Sequence, residues 1–230
     1  MTPDSSPNDP ANRRPLKTRN AGWVKALATA LAKGGVTPNQ ISFTSVAFAV
    51  LGASSLGLSG LISDWPRTAL LITAAFCIQL RLLCNMLDGM VAIEHGKAKP
   101  TGAIWNELPD RFADFLLLAG AGYGAVGANF VMGPALGWLA AVLAVIAAYV
   151  RELGRGEGLA PDFTGPLAKP QRMFVLTVTV LVTAFDGFWT RRGTTLMIGL
   201  GLIALLTAIT IGLRVWNLAR ALTRRSTETP

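Results

Sequence analysis

Six apolar blocks run along the chain, each close to the roughly 20 residues that cross a bilayer as a helix. They lie near 39–62, 68–93, 102–127, 134–152, 171–188 and 194–220. Inside a bilayer each segment must satisfy its own backbone hydrogen bonds, so such a chain is restricted to a helical bundle. Composition agrees. Only 15% of the residues are charged and 51% are hydrophobic, whereas soluble domains carry about 25% charged residues. This excludes a soluble globular enzyme, and the apolar content excludes a disordered chain. Turn-like breaks separate the blocks: Asp64-Trp65-Pro66, Gly96 to Pro100, Gly133-Pro134, the 153–170 loop, and Thr190 to Gly193. Cys77 and Cys84 share one block, so neither a disulfide framework nor a zinc site is expected.

The fold class expected is therefore all-α and integral to a membrane, with six transmembrane helices. A short amphipathic helix precedes them, because Trp23, Leu27 and Leu31 recur every four residues beside Lys25 and Lys33. The ordinary first turn of a buried helix is the alternative there. Residues 1–19 read as a disordered basic tail without a cleavable signal peptide, 20–222 as the membrane domain, and 223–230 as a second disordered tail. Net charge is +8. The basic residues sit between the blocks and at the chain ends, which argues for orientation in a membrane and against nucleic acid. With six spans, sixteen Lys and Arg fall on the side of the two termini and three (Arg67, Arg191, Arg192) on the other. Both termini are thus expected in the cytoplasm, in a bacterial inner membrane. No internal repeat of the transporter kind is visible.

Ionisable residues within a span are costly and mark function by default. Block two contains Arg81, Asn85, Asp88 and Ala92, which share an arc of about 60° at helical pitch. Block three contains Asn106, Glu107, Asp110 and Asp114, which share an arc of about 100°. Two antiparallel helices thus each present a polar face beside the His95–Thr101 loop. Oxygen ligands without His or Cys favour a hard cation such as Mg²⁺, Mn²⁺ or Ca²⁺, commonly shared with a substrate phosphate. Gly89 and Gly102 would let backbone or ligand approach closely. The competing interpretation is that pairs such as Asp88 with Arg81 merely hold helices together.

Asn85-x2-Asp88-Gly89-x2-Ala92-Ile93-x8-Gly102-x3-Asn106-x3-Asp110 resembles the signature of the CDP-alcohol phosphatidyltransferases, D-x2-D-G-x2-A-R-x8-G-x3-D-x3-D. The spacing is complete and five of eight positions agree. Thr37-Pro38-Asn39 also resembles the family's entry to its first span. The resemblance implies six spans, a cytoplasmic active face and a homodimer. It further implies four acidic residues that hold two divalent ions, the last serving as general base, and an Arg that helps hold the CDP group. Here the first and third acids are Asn85 and Asn106, and the Arg is Ile93. An Asn oxygen can ligate a cation without charge. Glu107, Asp114 and Glu94 are the nearest carboxylates that could compensate. Pro109 removes one helical hydrogen bond and is expected to kink its helix.

Gly165 to Lys169 looks similar to the family's Gly-x-x-Lys-like segment lining the acceptor pocket. Lys169 and Arg172 would grip a phosphate, or anchor to lipid headgroups. The resemblance thus implies a phosphatidyltransferase that joins CDP-diacylglycerol to a small polar alcohol and releases CMP. Its metal ligands would be Asn85, Asp88, Asn106 and Asp110, holding Mg²⁺ or Mn²⁺, with Asp110 as base. Gly89, Ala92, Gly102, Lys169 and Arg172 would contact substrate. The alternatives are an inactive relative that binds lipid or nucleotide through the same cleft and, from another class, a cation-coupled transporter.

Overall fold

The computed structural model describes residues 21–94 and 102–228. All regular elements there are helical: α1 (Gly22–Lys33), α2 (Pro38–Ser59), α3 (Asp64–Glu94), α4 (Gly102–Gly124), α5 (Met132–Gly156), α6 (Lys169–Thr183) and α7 (Thr194–Glu228). A short 3₁₀ turn over Asp186–Phe188 joins α6 to α7. A helix stands at each of the expected places; most ends shift by a few residues and the last helix runs eight residues further, to Glu228. The His95–Thr101 loop and the tail 1–19 lie outside the described residues, and so do the side chains of Ile93, Glu94 and Asn106.

Helix starts follow local chemistry. Thr37 and Gln40 cap α2 reciprocally, the Thr37 N–H donating to Gln40 Oε1 at 2.9 Å and the Gln40 N–H to Thr37 Oγ1 at 3.3 Å. Pro38 occupies the first turn, where its missing N–H costs nothing. Asn129 Oδ1 accepts from the Val131 and Met132 N–H groups and so starts α5. Helix α4 stays one element across Pro109. Helix α7 continues past residue 222 to Glu228, because Arg225 donates to the Glu157 and Gly158 carbonyls and docks that last stretch on the end of α5.

Small residues set the packing. Helix α2 buries Ser42, Ser45, Ala49, Gly52, Leu56 and Ser59 along one face against α3 and α4. Helix α5 buries Gly133, Gly137, Ala140, Ala141 and Ala144, and α4 meets it at Gly122. Leu117, Leu118, Met173, Leu176, Leu200 and Ile203 fill the centre. Helix α1 packs on α3 through Val24 and Ala28 and leaves Trp23 exposed. At the end of the bundle away from α1, Arg67 and Asp186 form a buried ion pair at 3.0 Å. Asp186 also accepts the Gly193 N–H at 2.7 Å, so α3 is tied to the α6–α7 connection.

Four helical stretches are long and apolar enough to cross a membrane: Pro38–Ser59, Asp64–Ala92, Met132–Gly156 and Thr194–Ser226. Exposed Phe43, Phe76, Ile146 and Leu205 coat the outside. This is a membrane protein. Helix α4 falls outside the four because Glu107, Asp110, Arg111 and Asp114 crowd its first half, and α6 because it has only 15 residues.

Gly137→Val tests the close α4–α5 approach. A Cβ at Gly137 would sit 2.6 Å from Gly122 Cα and 2.9 Å from the Leu118 carbonyl. Backbone cannot step aside as a side chain can, so stability should fall by about 1–3 kcal/mol. Reversible unfolding in mixed micelles measures the loss; unchanged stability would contradict the packing.

Candidate functional site

The polar faces of α3 and α4 meet at the end of the bundle where α3, α5 and α7 finish and α4 and α6 begin. A cavity of about 590 Å³ opens there. Asn85, Gly89, Asp110, Arg151, Lys169 and Arg172 form its polar wall. Trp23, Leu83, Met86 and Phe163 form an apolar flank.

Asp110 is the most connected residue. Its Oδ1 accepts from Asn85 Nδ2 and, at 3.2 Å, from Arg81 Nη2. Its Oδ2 pairs with the Lys169 ammonium. Four residues further along α4, Asp114 is buried between two guanidinium groups, Arg81 and Arg172, each at 2.6 Å. Arg81 is fully buried and serves both carboxylates. Three helices are thus joined by one chain of charges.

Asp88 is held differently. Ser42 Oγ on α2 donates to its Oδ2 at 2.8 Å. Its Oδ1 is buried and has no hydrogen-bond partner among the described residues. A buried carboxylate oxygen without a partner is expensive, and one such atom in a polar cluster marks a place for a missing ligand. Ser45, three residues along α2, donates to Asn85 Oδ1 at 2.8 Å. That bond fixes the amide so that its nitrogen faces Asp110.

Glu107 is committed elsewhere. It pairs with Arg111 at 2.7 Å and Arg151 at 2.8 Å, and Arg151 reaches Glu152 at 2.8 Å. Neither Glu107 nor Asp114 is therefore a carboxylate left over for a cation. Among the described residues no three His, Cys, Asp or Glu side chains converge as a metal cage. Among the described residues the donors available to a hard cation are the unpartnered oxygen of Asp88 and the neighbouring Asn85–Asp110 pair.

The loop before α6 is anchored from α7. Arg214 donates to the Thr164 carbonyl at 3.1 Å and to the Ala147 carbonyl at 3.0 Å. Thr210 Oγ1 accepts the Leu167 N–H at 3.1 Å. Gly165 has φ +113°, and a Cβ there would strike Thr210, so only glycine suits the position. Asn217 donates to Asp162 and Thr164, each at 3.1 Å. Burial works to raise the Asp162 carboxyl, but hydrogen bonds from Thr164 and Asn217 and the Arg214 charge outweigh it and hold it below its ordinary value. The tethered loop delivers Lys169 to Asp110.

Of the residues expected at the site, Asn85, Gly89, Asp110, Lys169 and Arg172 line the cavity, and Asp88 lies just behind it. Ala92 is half-buried on α3 and lines no part of the cavity. Gly102 opens α4, and none of the described residues comes within 4 Å of its would-be Cβ. The side chain of Asn106 lies outside the described residues. Sequence reasoning missed Ser42, Ser45 and Arg214. An arginine inside an apolar block was a usable signal for Arg214.

Known proteins resemble this chain. It is 29% identical over 160 residues to the phosphatidylinositol phosphate synthase of Mycobacteroides abscessus, a match covering 65% of this chain and 64% of that protein. The phosphatidylinositol phosphate synthase of Mycolicibacterium smegmatis is 27% identical over 170 residues, covering 71% and 70%. The match thus spans just under two thirds of the first relative. The fold resembles the Mycobacterium tuberculosis phosphatidylinositol phosphate synthase crystallised with CDP-DAG, with TM-score 0.71, 22% identity, and 86% and 94% of the two chains covered. The structure of that synthase with manganese and citrate gives TM-score 0.70 at 22% identity, covering 85% and 88%. No protein-family profile matches the chain.

Asp114→Asn should destabilise the protein by about 3–5 kcal/mol, because two buried guanidinium groups lose their shared counter-charge. Glu152→Gln, whose ion pairs lie at the half-exposed rim, should cost under about 1 kcal/mol. Unfolding in mixed micelles compares the two; equal losses would contradict the weight given to the buried network.

Proposed function

We propose that this chain is an integral-membrane member of the CDP-alcohol phosphatidyltransferase family. In this reading it moves the phosphatidyl group of CDP-diacylglycerol to the hydroxyl of a small polar alcohol and releases CMP. The carrying observation is the buried Asp88 oxygen, without a hydrogen-bond partner among the described residues, next to a cavity walled by Asp110, Lys169, Arg151 and Arg172. The named relatives, and the likeness to a fold crystallised with CDP-DAG, support the donor. All seven helices, with α1 lying on the surface, support six spans, and the sixteen-to-three charge asymmetry supports a cytoplasmic site and termini in a bacterial inner membrane. The donor's acyl chains would leave along the apolar flank by Trp23, towards lipid. A homodimer fits the resemblance.

Each side chain has a role in the transfer. Asp110 takes the proton of the acceptor hydroxyl at a carboxylate oxygen. The acceptor oxygen then forms a bond to the β-phosphorus of the donor. The bond from that phosphorus to the bridging oxygen breaks, and CMP leaves with the electron pair. Lys169 and Arg151 stabilise the negative charge that develops on the transferring phosphate. Arg172 acts from behind, by holding Asp114 and thereby Arg81. Gly89, on the cavity wall, lets the donor pass close to α3. Asp88, Asn85, Asn106 and Asp110 are the proposed holders of Mg²⁺ or Mn²⁺. The oxygen-only donor set fits such an ion, and the manganese complex of the structural relative supports it. When bound, the ion neutralises the diphosphate.

A second reading is an inactive relative that binds nucleotide or lipid. Asn85, Asn106 and Ile93 at three motif positions favour it. Release of CMP from CDP-diacylglycerol separates the two. Purified protein with Mg²⁺ or Mn²⁺ should release CMP only when an acceptor is present, across a panel that includes inositol phosphate and glycerol phosphate. Asp88→Asn should lower the rate by at least about 100-fold, in the range of lost electrostatic stabilisation. Release equal to wild type in that variant would remove Asp88 from the site, and no release with any acceptor would favour the binding protein.

Asn85→Asp gives a second test. The new carboxylate would replace a donor to Asp110 with a like charge. The metal-free variant should be less stable than wild type by about 1–3 kcal/mol, and Mn²⁺ should raise its melting temperature more than that of wild type. Equal shifts on adding Mn²⁺ would place residue 85 away from any cation.

A further inference from the structure

Gln79 lines the same cavity as Asp110 and Lys169, yet the transfer gives it no role. It is exposed, midway along α3, inside one of the membrane-crossing stretches. A polar side chain at that depth is costly and is kept where it meets a polar partner. Gln79 Nε2 donates to Thr177 Oγ1 on α6 at 2.8 Å, and Thr177 gives its own proton to the Met173 carbonyl at 2.8 Å. Thr177 can therefore only accept from Gln79, which fixes the end of the amide that faces α6. One amide proton is used in this way. The other has no acceptor among the described residues.

We infer that Gln79 determines specificity for the donor lipid, its second amide proton binding an ester carbonyl of the diacylglycerol moiety. The inference rests on the phosphatidyltransferase reading and deepens it. Reach supports the assignment. Six residues of helical rise put residue 79 about 9 Å nearer the membrane interior than residue 85. In a glycerolipid six or seven bonds separate the phosphorus from the ester carbonyl oxygens, about 7–8 Å at the advance per bond of an extended chain. A phosphate held among Asn85, Asp110 and Lys169 therefore brings an ester group within reach of the Gln79 side chain. Direction supports it too. The acyl chains must leave into the bilayer, so the esters lie on the membrane side of the phosphate, where Gln79 is.

The chemistry of the wall between the two ends agrees. Leu82, Leu83 and Met86 line the cavity between Gln79 and the Asn85–Gly89 level. An apolar stretch closed by one placed polar group suits a glyceryl chain that carries a single kind of polar atom. An ester carbonyl accepts and cannot donate, and a spare N–H is what it requires. The acceptor alcohol fits this place less well, because its hydroxyl has to reach Asp110 beside Lys169. A dialkyl ether lipid with the same headgroup lacks the carbonyl, so Gln79 would separate ester-linked from ether-linked donors. One neutral hydrogen bond corresponds to a preference of about three- to tenfold.

The test is equilibrium binding of CDP-diacylglycerol and of its dialkyl ether analogue to the full chain in mixed micelles with Mn²⁺, read by isothermal titration calorimetry. Wild type should bind the ester lipid about three- to tenfold more tightly than the ether lipid. Gln79→Met keeps the length of the side chain without its donors and should bind the two lipids equally. Thr177→Val breaks the same bond between α3 and α6 but leaves the Gln79 amide, and should keep the ester preference. Each comparison is a ratio within one protein, so a variant that folds less well loses affinity for both lipids and the ratio still reads. No preference in wild type, a preference that survives in Gln79→Met, or one lost equally in Thr177→Val would overturn the inference and leave the transferase reading standing. An effect of Gln79→Met confined to the KM of the acceptor alcohol would overturn it as well. An ester preference that Gln79→Met abolishes, in a protein that releases no CMP, would uphold the lipid contact and remove the transferase. Binding of neither lipid would remove both.

Discussion

The buried chain of charges Arg81–Asp114–Arg172 is what the site depends on. It links α3, α4 and α6 through contacts of 2.6 Å with almost no solvent exposure. Placing three ions in a low-dielectric bundle costs several kcal/mol per ion, and the cost is offset only when geometry and hydrogen bonding are both good. Removal of Asp114 leaves two buried guanidinium groups without their shared counter-charge. The network is therefore a constraint on helix position as much as a source of stability. It sets the depth of α6 relative to α4, and so sets where Lys169 meets Asp110.

Around that constraint the rest is positioning. Helix α2 contributes little chemistry of its own, yet its two inward serines orient Asp88 and Asn85. Helix α7 holds the loop before α6 through Thr210, Arg214 and Asn217. The anchored loop limits the conformational freedom of Lys169, which keeps its ammonium on the carboxylate instead of in solvent. Glu107 and Arg151 form a separate ion cluster at the rim, where exchange with water and incoming anions is cheap. A rigid interior and a labile rim suit a site that must admit a charged headgroup and keep its reacting groups in place.

Much of this was legible in the sequence. The apolar blocks placed the helices to within a few residues, and helical pitch put Asn85 and Asp88 on one face and Asp110 and Asp114 on another. Pairings between helices were not legible. Asp114 and Glu107 read as spare carboxylates beside a weakened metal site, and both proved to be occupied by arginines from other helices. Which arginine reaches which acid depends on helix depth and side-chain rotamers, and periodicity carries neither. Ser42 and Ser45 were invisible for a related reason, since small hydroxyl residues on an apolar helix read as packing. The C-terminal stretch read as a tail because its residues are polar, but a helix already anchored by α5 propagates at little cost.

The most direct measurement is a structure of the full chain in lipid with CDP-diacylglycerol and Mn²⁺, read by the anomalous scattering of manganese. The account predicts manganese between the donor diphosphate and Asp88. A diphosphate bound outside this cavity, or manganese with no contact to Asp88, would contradict it.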